Sequence, residues 1–210
     1  MKRFLITTAL AAVALTASAQ DNYKFTIKAG AGLASVVGAD ADSNFKLAAK
    51  AGVSFDVKLY KGLYFIPEID FILKGFDTKH SFTLARISYS TPIHMTYLQA
   101  PIMVAYKFTM KEKGNVVLKV GPYFACGLFG SKASISGWGY YKEGWGYNKE
   151  VDVFDSVYGF RRFDAGINAG LAFERNHLAV GFEYSRGLYK LYPDLSQYNQ
   201  SFGITLGFRI

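Results

Sequence analysis

Along most of this chain an apolar residue stands at every second position, and the residues between are small, polar or charged. The last stretch, residues 201–210, shows the pattern most clearly. Because successive side chains of a β-strand point to opposite faces, this alternation predicts strands with one apolar and one polar face. Eight such segments occur, at residues 23–34, 45–59, 63–74, 95–108, 116–129, 163–174, 178–185 and 201–210.

Two folds fit eight two-faced strands, a closed membrane barrel and a soluble periplasmic sandwich. Most of the segments match or exceed the roughly 9 to 11 residues that a tilted strand needs to cross a bilayer. The links after the second, fourth and sixth segments are short, and the others are much longer. Bacterial outer-membrane barrels have short periplasmic turns and long outer loops, whereas a sandwich has no reason to sort its loops. The sequence therefore predicts an all-β fold, an eight-stranded antiparallel transmembrane β-barrel in an up-and-down meander.

The N-terminus has the features of a secretory signal peptide. Lys2 and Arg3 precede an apolar run at residues 4–15, and small residues follow at 17–19. We expect residues 1–19 to be removed and residues 20–210 to form one barrel domain in the outer membrane of a Gram-negative cell. No later segment approaches the roughly 18 consecutive apolar residues of a transmembrane helix.

Aromatic residues make up 17% of the chain and flank many of the predicted strands. Aromatic girdles mark both interfaces of a membrane barrel. We expect one girdle near the short turns, from Tyr60, Tyr64 and Phe108, and a second near the long loops, from Phe76, Tyr89, Tyr97, Phe160, Tyr189 and Tyr192.

The charged residues of the strands lie almost wholly on the polar faces, which a barrel turns inward. Ten of them are assigned to the lumen: Lys28, Lys50, Glu68, Asp70, Lys107, Lys119, Asp164, Glu174, Glu183 and Arg209. The interior of an eight-stranded barrel is just wide enough for side chains to fill, and an isolated buried charge is very costly. Two interpretations stay open, an internal plug of ion pairs and a narrow conducting pore.

The long link after the fifth segment contains a short internal repeat, residues 137–143 followed by 144–150. It includes both tryptophans of the chain, and its candidate binding residues are Trp138, Tyr140, Tyr141, Trp145 and Tyr147. Trp and Tyr are enriched in binding hot spots, so this loop could bind an extracellular glycan or protein. The alternative is a hairpin tip that packs on its own flanks or rests on the membrane surface.

Few residues suggest catalysis or a cofactor. A lipid hydrolase in a barrel needs a serine and a histidine within hydrogen-bond reach at the lipid interface. Only His94 with Ser88 or Ser90 is expected at the level of that interface. His80 and His177 lie in or beside other links. The sequence has no metal-binding spacing and no phosphate loop, and the lone Cys126 lies in an apolar alternation as a small hydrophobe. We therefore predict a non-enzymatic protein without a cofactor.

The formal net charge of +8 bears on the partners. The lysines are spread along the strands rather than clustered, which disfavours nucleic acid for an exported protein. We expect outer-membrane lipid and lipopolysaccharide as the anionic counterparts, and a monomeric barrel.

Several short motifs resemble the PorT-like outer-membrane β-barrel family. They are Tyr97, Leu98, Gln99, Ala100, Pro101 and Ile102 with Tyr106 and Lys107; Gly121, Pro122 and Tyr123; Phe163, Asp164, Ala165 and Gly166; and Tyr184, Ser185, Arg186, Gly187 and Leu188. The resemblance covers the mature chain and implies an exported eight-stranded barrel. One branch of that family serves a protein-secretion system. The functional expectation is thus a plugged barrel with binding or shielding loops, and the alternatives are a porin-like channel, a secretion-system subunit and a lipid hydrolase.

Overall fold

The computed structural model describes residues 23–38, 43–78, 81–82, 87–88, 93–111, 114–130, 132–138, 146–154, 160–191 and 196–210. The signal peptide prediction lies outside these residues. The strands are β1 (Tyr23–Gly38), β2 (Ser43–Tyr60), β3 (Leu63–Thr78), β4 (Ser81–Phe82), β5 (Ile87–Ser88), β6 (Ile93–Met110), β7 (Gly114–Gly130), β8 (Lys132–Trp138), β9 (Gly146–Asp152), β10 (Phe163–Arg175), β11 (Leu178–Gly187) and β12 (Gln197–Arg209).

Eight of these strands form a closed antiparallel barrel in the order β1-β12-β11-β10-β7-β6-β3-β2. Every predicted segment falls on one of them, so the predicted fold is confirmed. The predicted faces are also correct. On β12, for example, Ile204 is 61% exposed on the outer wall, whereas the neighbouring Thr205 is 7% exposed and lies inside. No helix in the described part of the chain has the length and hydropathy of a membrane span.

The short connections are tight turns at one end of the barrel. Gly62 between β2 and β3 has a φ of 85°, Gly114 at the start of β7 has a φ of 113°, and Asn176 between β10 and β11 has a φ of 52°. Glycine adopts positive φ without a steric penalty, and asparagine tolerates it better than most residues. The sequence predicts turns at residues 61–62 and 175–176. The first forms there, and the second forms one residue later, at Asn176 and His177, because Arg175 still pairs with Leu178.

The long loops contain a second sheet that the sequence analysis does not predict. Its four strands are ordered β4-β5-β8-β9. The hairpin of β8 and β9 pairs Lys132 with Asp152 and Trp138 with Gly146, and Ser88 of β5 pairs with Ser136 of β8. The loop between β3 and β6 is thus joined to the loop between β7 and β10 at the outer end.

Three prolines lie inside consecutive barrel strands, at Pro67 in β3, Pro101 in β6 and Pro122 in β7. Proline has no backbone N–H, so these positions predict a local bulge or broken pairing. Pairing with the preceding barrel strand is interrupted around each one, and it resumes in the same register. The interruptions are therefore local gaps, and the alternation of faces continues past them.

The expected aromatic girdles are correct only in part. Tyr60, Phe108 and Tyr189 are exposed, whereas Tyr97 and Phe160 are buried and the ring of Tyr64 lies against Lys107 inside the barrel. The girdle predictions for Tyr97, Phe160 and Tyr64 are therefore wrong. The places of these residues in the strand pattern or beside the loops turn their side chains inward. The side chains of Phe76, Tyr89 and Tyr192 lie outside the described residues.

Candidate functional site

A ring of ion pairs fills the middle of the lumen. It consists of Lys28, Lys50, Lys119, Glu68, Asp70 and Glu183, which come from β1, β2, β7, β3 and β11. Lys119 Nζ lies 2.8 Å from Glu68 Oε1 and 2.6 Å from Glu183 Oε1. Lys28 contacts Glu68 and lies 3.1 Å from Asp70. Lys50 contacts Glu183 and lies 3.4 Å from Asp70. Each charge therefore has at least two partners of opposite sign. We call these six residues the middle layer.

A second group of ion pairs lies nearer the short turns. It consists of Lys107, Arg209, Asp56 and Glu174, and we call it the lower layer. Lys107 Nζ contacts Asp56 and lies 2.9 Å from Glu174 Oε1. Arg209 lies 2.6 Å from Glu174 and 3.4 Å from Asp56. Both cations thus contact both carboxylates, and all four side chains are less than one tenth exposed.

A cavity of about 50 Å³ separates the two layers. Its lining includes Glu68, Lys119 and Glu183 from the middle layer, and Asp56 and Glu174 from the lower one. A polar cavity of this size holds one or a few water molecules. The charged residues of both layers thus border one small cavity within the lumen.

A third polar group lies nearer the long loops. Asp164 Oδ2 accepts hydrogen bonds from Tyr123 at 3.1 Å and from Asn199 at 2.8 Å. Lys74 Nζ lies 4.0 Å from the same oxygen and above the rings of Tyr97 and Tyr123, at 5.4 and 5.7 Å from their centroids. Lys74 and Asp164 are buried, and Lys74 Nζ has no hydrogen-bond partner. We call this the upper group.

An apolar cluster covers the upper group from the outer side. Inward-facing residues of the barrel pack there against side chains from the loops, and the members are Val36, Met95, Tyr97, Tyr123, Ala125, Val153, Phe154, Phe160 and Leu191. The ring of Phe154 meets Tyr97 edge to face with centroids 5.7 Å apart. A Cβ at Gly127 would lie 2.4 Å from Phe154 Cζ, so glycine is needed for this close approach. The four loop residues of this cluster, at positions 153, 154, 160 and 191, form what we call the lid.

The ten predicted lumen residues all face the interior, but they do not form a single network. Asp164 lies in the upper group, separate from the others, and its nearest described cation is Lys74. Asp56 and Lys74 also lie on polar faces of their strands, but the sequence analysis does not assign them to the lumen, although strand parity was a sufficient signal. Six cations and six carboxylates, those of the two layers and the upper group, therefore balance in the lumen.

The predicted loop site is described only in part. Trp138 ends β8 and Tyr147 lies in β9, where it pairs with Gly137. The repeat thus begins and ends on the strands of one hairpin at the outer end. Tyr140, Tyr141 and Trp145 lie outside the described residues.

The residues considered for catalysis are not brought together in a described site. His94 is exposed on β6, while Ser90 and His80 lie outside the described residues, as does the side chain of Ser88. His177 lies at a short turn, with Nδ1 2.9 Å from the carbonyl oxygen of Arg209. Cys126 is exposed on the outer wall. Within the described residues, no three His, Cys, Asp or Glu side chains are grouped as metal ligands.

A closed antiparallel barrel with an apolar outer wall and a charged interior defines the class of outer-membrane β-barrels. The sequence matches the family described as outer membrane protein beta-barrel domain over residues 15–192. The chain belongs to this family, and the outer membrane is its location. The finer resemblance to the PorT-like branch remains a prediction. A search of curated proteins found no match.

Solved structures with a similar fold come from several outer-membrane proteins. Ail, the attachment invasion locus protein of Yersinia pestis, in complex with the heparin analogue sucrose octasulfate, is 14% identical with a TM-score of 0.45, covering 90% of this chain and 99% of Ail. The outer membrane enzyme PagL is 10% identical with a TM-score of 0.51, covering 87% and 98%. OprG from Pseudomonas aeruginosa is 8% identical with a TM-score of 0.46, covering 90% and 96%. At these identities the likeness extends to the fold alone.

Proposed function

We propose that this protein is a non-enzymatic outer-membrane barrel with a sealed lumen, and that its outer loops bind an extracellular ligand or shield the envelope. The observation that carries the proposal is the mutual neutralisation of the middle and lower layers. Each described cation in them contacts two or more carboxylates, so neither layer offers a permeating ion an unpaired charge. The lid adds an apolar barrier at the outer end.

With the lumen of the barrel sealed, the outer loops are the part of the molecule that we expect to bind ligands. Loops on a rigid scaffold commonly carry binding residues, and the sheet of β4, β5, β8 and β9 holds two of the long loops together. The repeat at residues 137–150 supplies the aromatic residues for a glycan or protein ligand. Lipopolysaccharide in the surrounding leaflet is the other partner that we propose for this end, with the barrel acting as a monomer.

Single-channel recording in planar bilayers tests the seal. We expect no discrete current steps from the wild-type barrel. The test variant opens both layers without changing the net charge, and it also removes one side chain of the lid. It should conduct, and it combines Lys107→Ala, Glu174→Ala, Lys119→Ala, Glu183→Ala and Phe154→Ala. Its control is Phe154→Ala alone, in which both layers remain and the barrel should stay closed.

Regular current steps from the wild-type barrel would contradict the seal and favour the channel. A lipid-deacylation assay on the purified protein tests the hydrolase alternative, with His94→Ala as the control. Activity that depends on His94 would contradict the non-enzymatic assignment.

A further inference from the structure

The charges outside the lumen are unevenly placed. The six cations and six carboxylates of the lumen cancel, and among the described residues outside the lumen the cations outnumber the carboxylates. Five exposed cations lie at the end with the short turns. The exposed cations there are Lys24, Lys58, Lys61, Lys111 and Arg175, which we call the basic rim.

Within the described residues at this end, no exposed acidic side chain accompanies the basic rim, and the side chains of Asp56 and Glu174 are buried in the lower layer. The rim follows the circumference of the barrel. Lys24 is the second residue of β1, Lys58 lies near the end of β2, Lys61 and Lys111 lie in two different turns, and Arg175 ends β10. Cations spread around a ring fit an extended anionic surface better than a single soluble ligand.

The level of the basic rim along the barrel axis indicates that its cations lie near lipid headgroups. Exposed apolar and aromatic side chains accompany it, among them Tyr23, Leu59 and Tyr60. The Nζ atom of Lys61 lies 5.5 Å from the centroid of the Tyr60 ring. Aromatic residues of a barrel mark the interface between hydrocarbon and headgroups, and lysine and arginine side chains near that level extend toward the headgroups.

An apolar groove on the outer wall reaches the same rim. It is shallow and open, runs over β1 and the nearby strands β2, β3 and β12, and is lined by Ile27, Ala29, Val53, Phe71, Leu206 and Phe208. Leu178 lines it as well and pairs with Arg175 of the rim. A flexible acyl chain fits such a groove while its headgroup meets the cation.

We propose that the basic rim binds anionic phospholipids of the periplasmic leaflet in preference to zwitterionic ones. The inference rests on the assignment of the short turns to the periplasmic face, but not on whether the lumen is sealed. Basic residues near an anionic membrane surface each strengthen binding by roughly fivefold. The preference weakens at high salt, because exposed charges are screened.

Spin-label electron paramagnetic resonance tests this proposal. The barrel is reconstituted in phosphatidylcholine bilayers with a trace of spin-labelled phosphatidylglycerol or spin-labelled phosphatidylcholine, and the relative association constant is measured. We expect wild type to favour phosphatidylglycerol by up to about fivefold, the effect of one basic residue on the one lipid headgroup that it contacts. The triple variant Lys58→Gln, Lys61→Gln and Lys111→Gln should bring the ratio close to one.

The matched control removes three cations at the outer end through Arg161→Gln, Arg162→Gln and Lys190→Gln, and it should keep most of the preference. An absent preference in wild type, or an equal loss in both triple variants, would overturn the proposal. Current recordings on the same reconstituted barrels keep the two proposals separate, since a conducting barrel contradicts the seal and leaves the lipid preference unaffected.

Discussion

Two buried lysines of the lumen, Lys74 and Lys107, differ in how well their charges are compensated. Lys107 contacts two carboxylates of the lower layer and lies 4.6 Å from the ring centroid of Tyr64. Lys74 Nζ makes no hydrogen bond, and its one carboxylate partner at 4.0 Å already accepts two hydrogen bonds from other residues. Removing one member of a buried ion pair is costly when its partner is left without compensation.

We predict that Lys107→Met lowers the free energy of unfolding by about 3 to 5 kcal/mol. Lys74→Met should lower the free energy of unfolding by a smaller amount, at least about 2 kcal/mol less than Lys107→Met does. The buried amine of Lys74 has few interactions to lose, and its desolvation cost disappears with it. Denaturant unfolding of the barrel in lipid vesicles measures both. Equal losses would mean that Lys74 is compensated by contacts other than those described.

At the scale of single positions, strand parity predicts most of what the structure shows. It places Lys28, Glu68 and Lys119 inside and Ile102 and Ile204 outside, because a closed barrel has only two faces. The girdle assignment of Tyr97 is what fails, because Leu98 beside it faces lipid and strand parity therefore turns Tyr97 inward. Proximity to a loop does not reveal that the loop folds back over the mouth and buries the ring under Phe154.

The barrel strands differ in length from one side to the other. The strands from β1 to β7 that belong to the barrel have 16 to 18 residues, whereas β10, β11 and β12 have 10 to 13. Since roughly 9 to 11 residues cross a bilayer, the longer strands extend beyond it and carry the small outer sheet. The sequence indicates where these strands lie in the membrane but not how far they extend, because the alternation fades at their outer ends.

The hairpin of β8 and β9 belongs to the outer sheet and pairs with no barrel strand. We therefore predict that deleting residues 137–150 leaves assembly and heat-modifiable migration on gels nearly intact while abolishing ligand binding by the loops. Loop length itself has a small effect on stability, about 0.6 kcal/mol per doubling. The deletion retains Val153 and Phe154, so the lid should remain.

Electrophoresis of unheated and heated samples measures assembly of this deletion variant, and glycan or lipopolysaccharide binding measures function. Loss of assembly would show that the hairpin supports the barrel. Full retention of binding would show that Trp138 and Trp145 serve only at the membrane surface.

The charge balance of the lumen is a property of the whole molecule. The middle layer alone combines β1, β2, β3, β7 and β11, and the lower layer adds β6, β10 and β12. We predict that Lys28→Glu sharply reduces the assembled fraction, since it leaves the middle layer with excess negative charge. Adding Glu68→Lys restores the balance and should recover part of that fraction.

The heat-modifiable fraction after refolding into vesicles measures this pair of variants. Lys28→Gln is the control, because it removes the cation without adding an anion and should have an intermediate effect. Normal assembly of Lys28→Glu would show that water compensates the charges of the lumen.

Every barrel strand contributes a charge to the lumen. These charges affect how the strands find the correct register of pairing. A slip of one residue turns apolar side chains inward and is strongly disfavoured. A slip of two residues keeps every side chain on its correct face, so the hydrophobic pattern does not disfavour it. Such a slip would displace Lys28 or Arg209 from its carboxylates and leave a buried charge without a partner. The ion pairs therefore give assembly a means of proofreading, because only the correctly closed barrel pairs the lumen charges with partners of opposite sign.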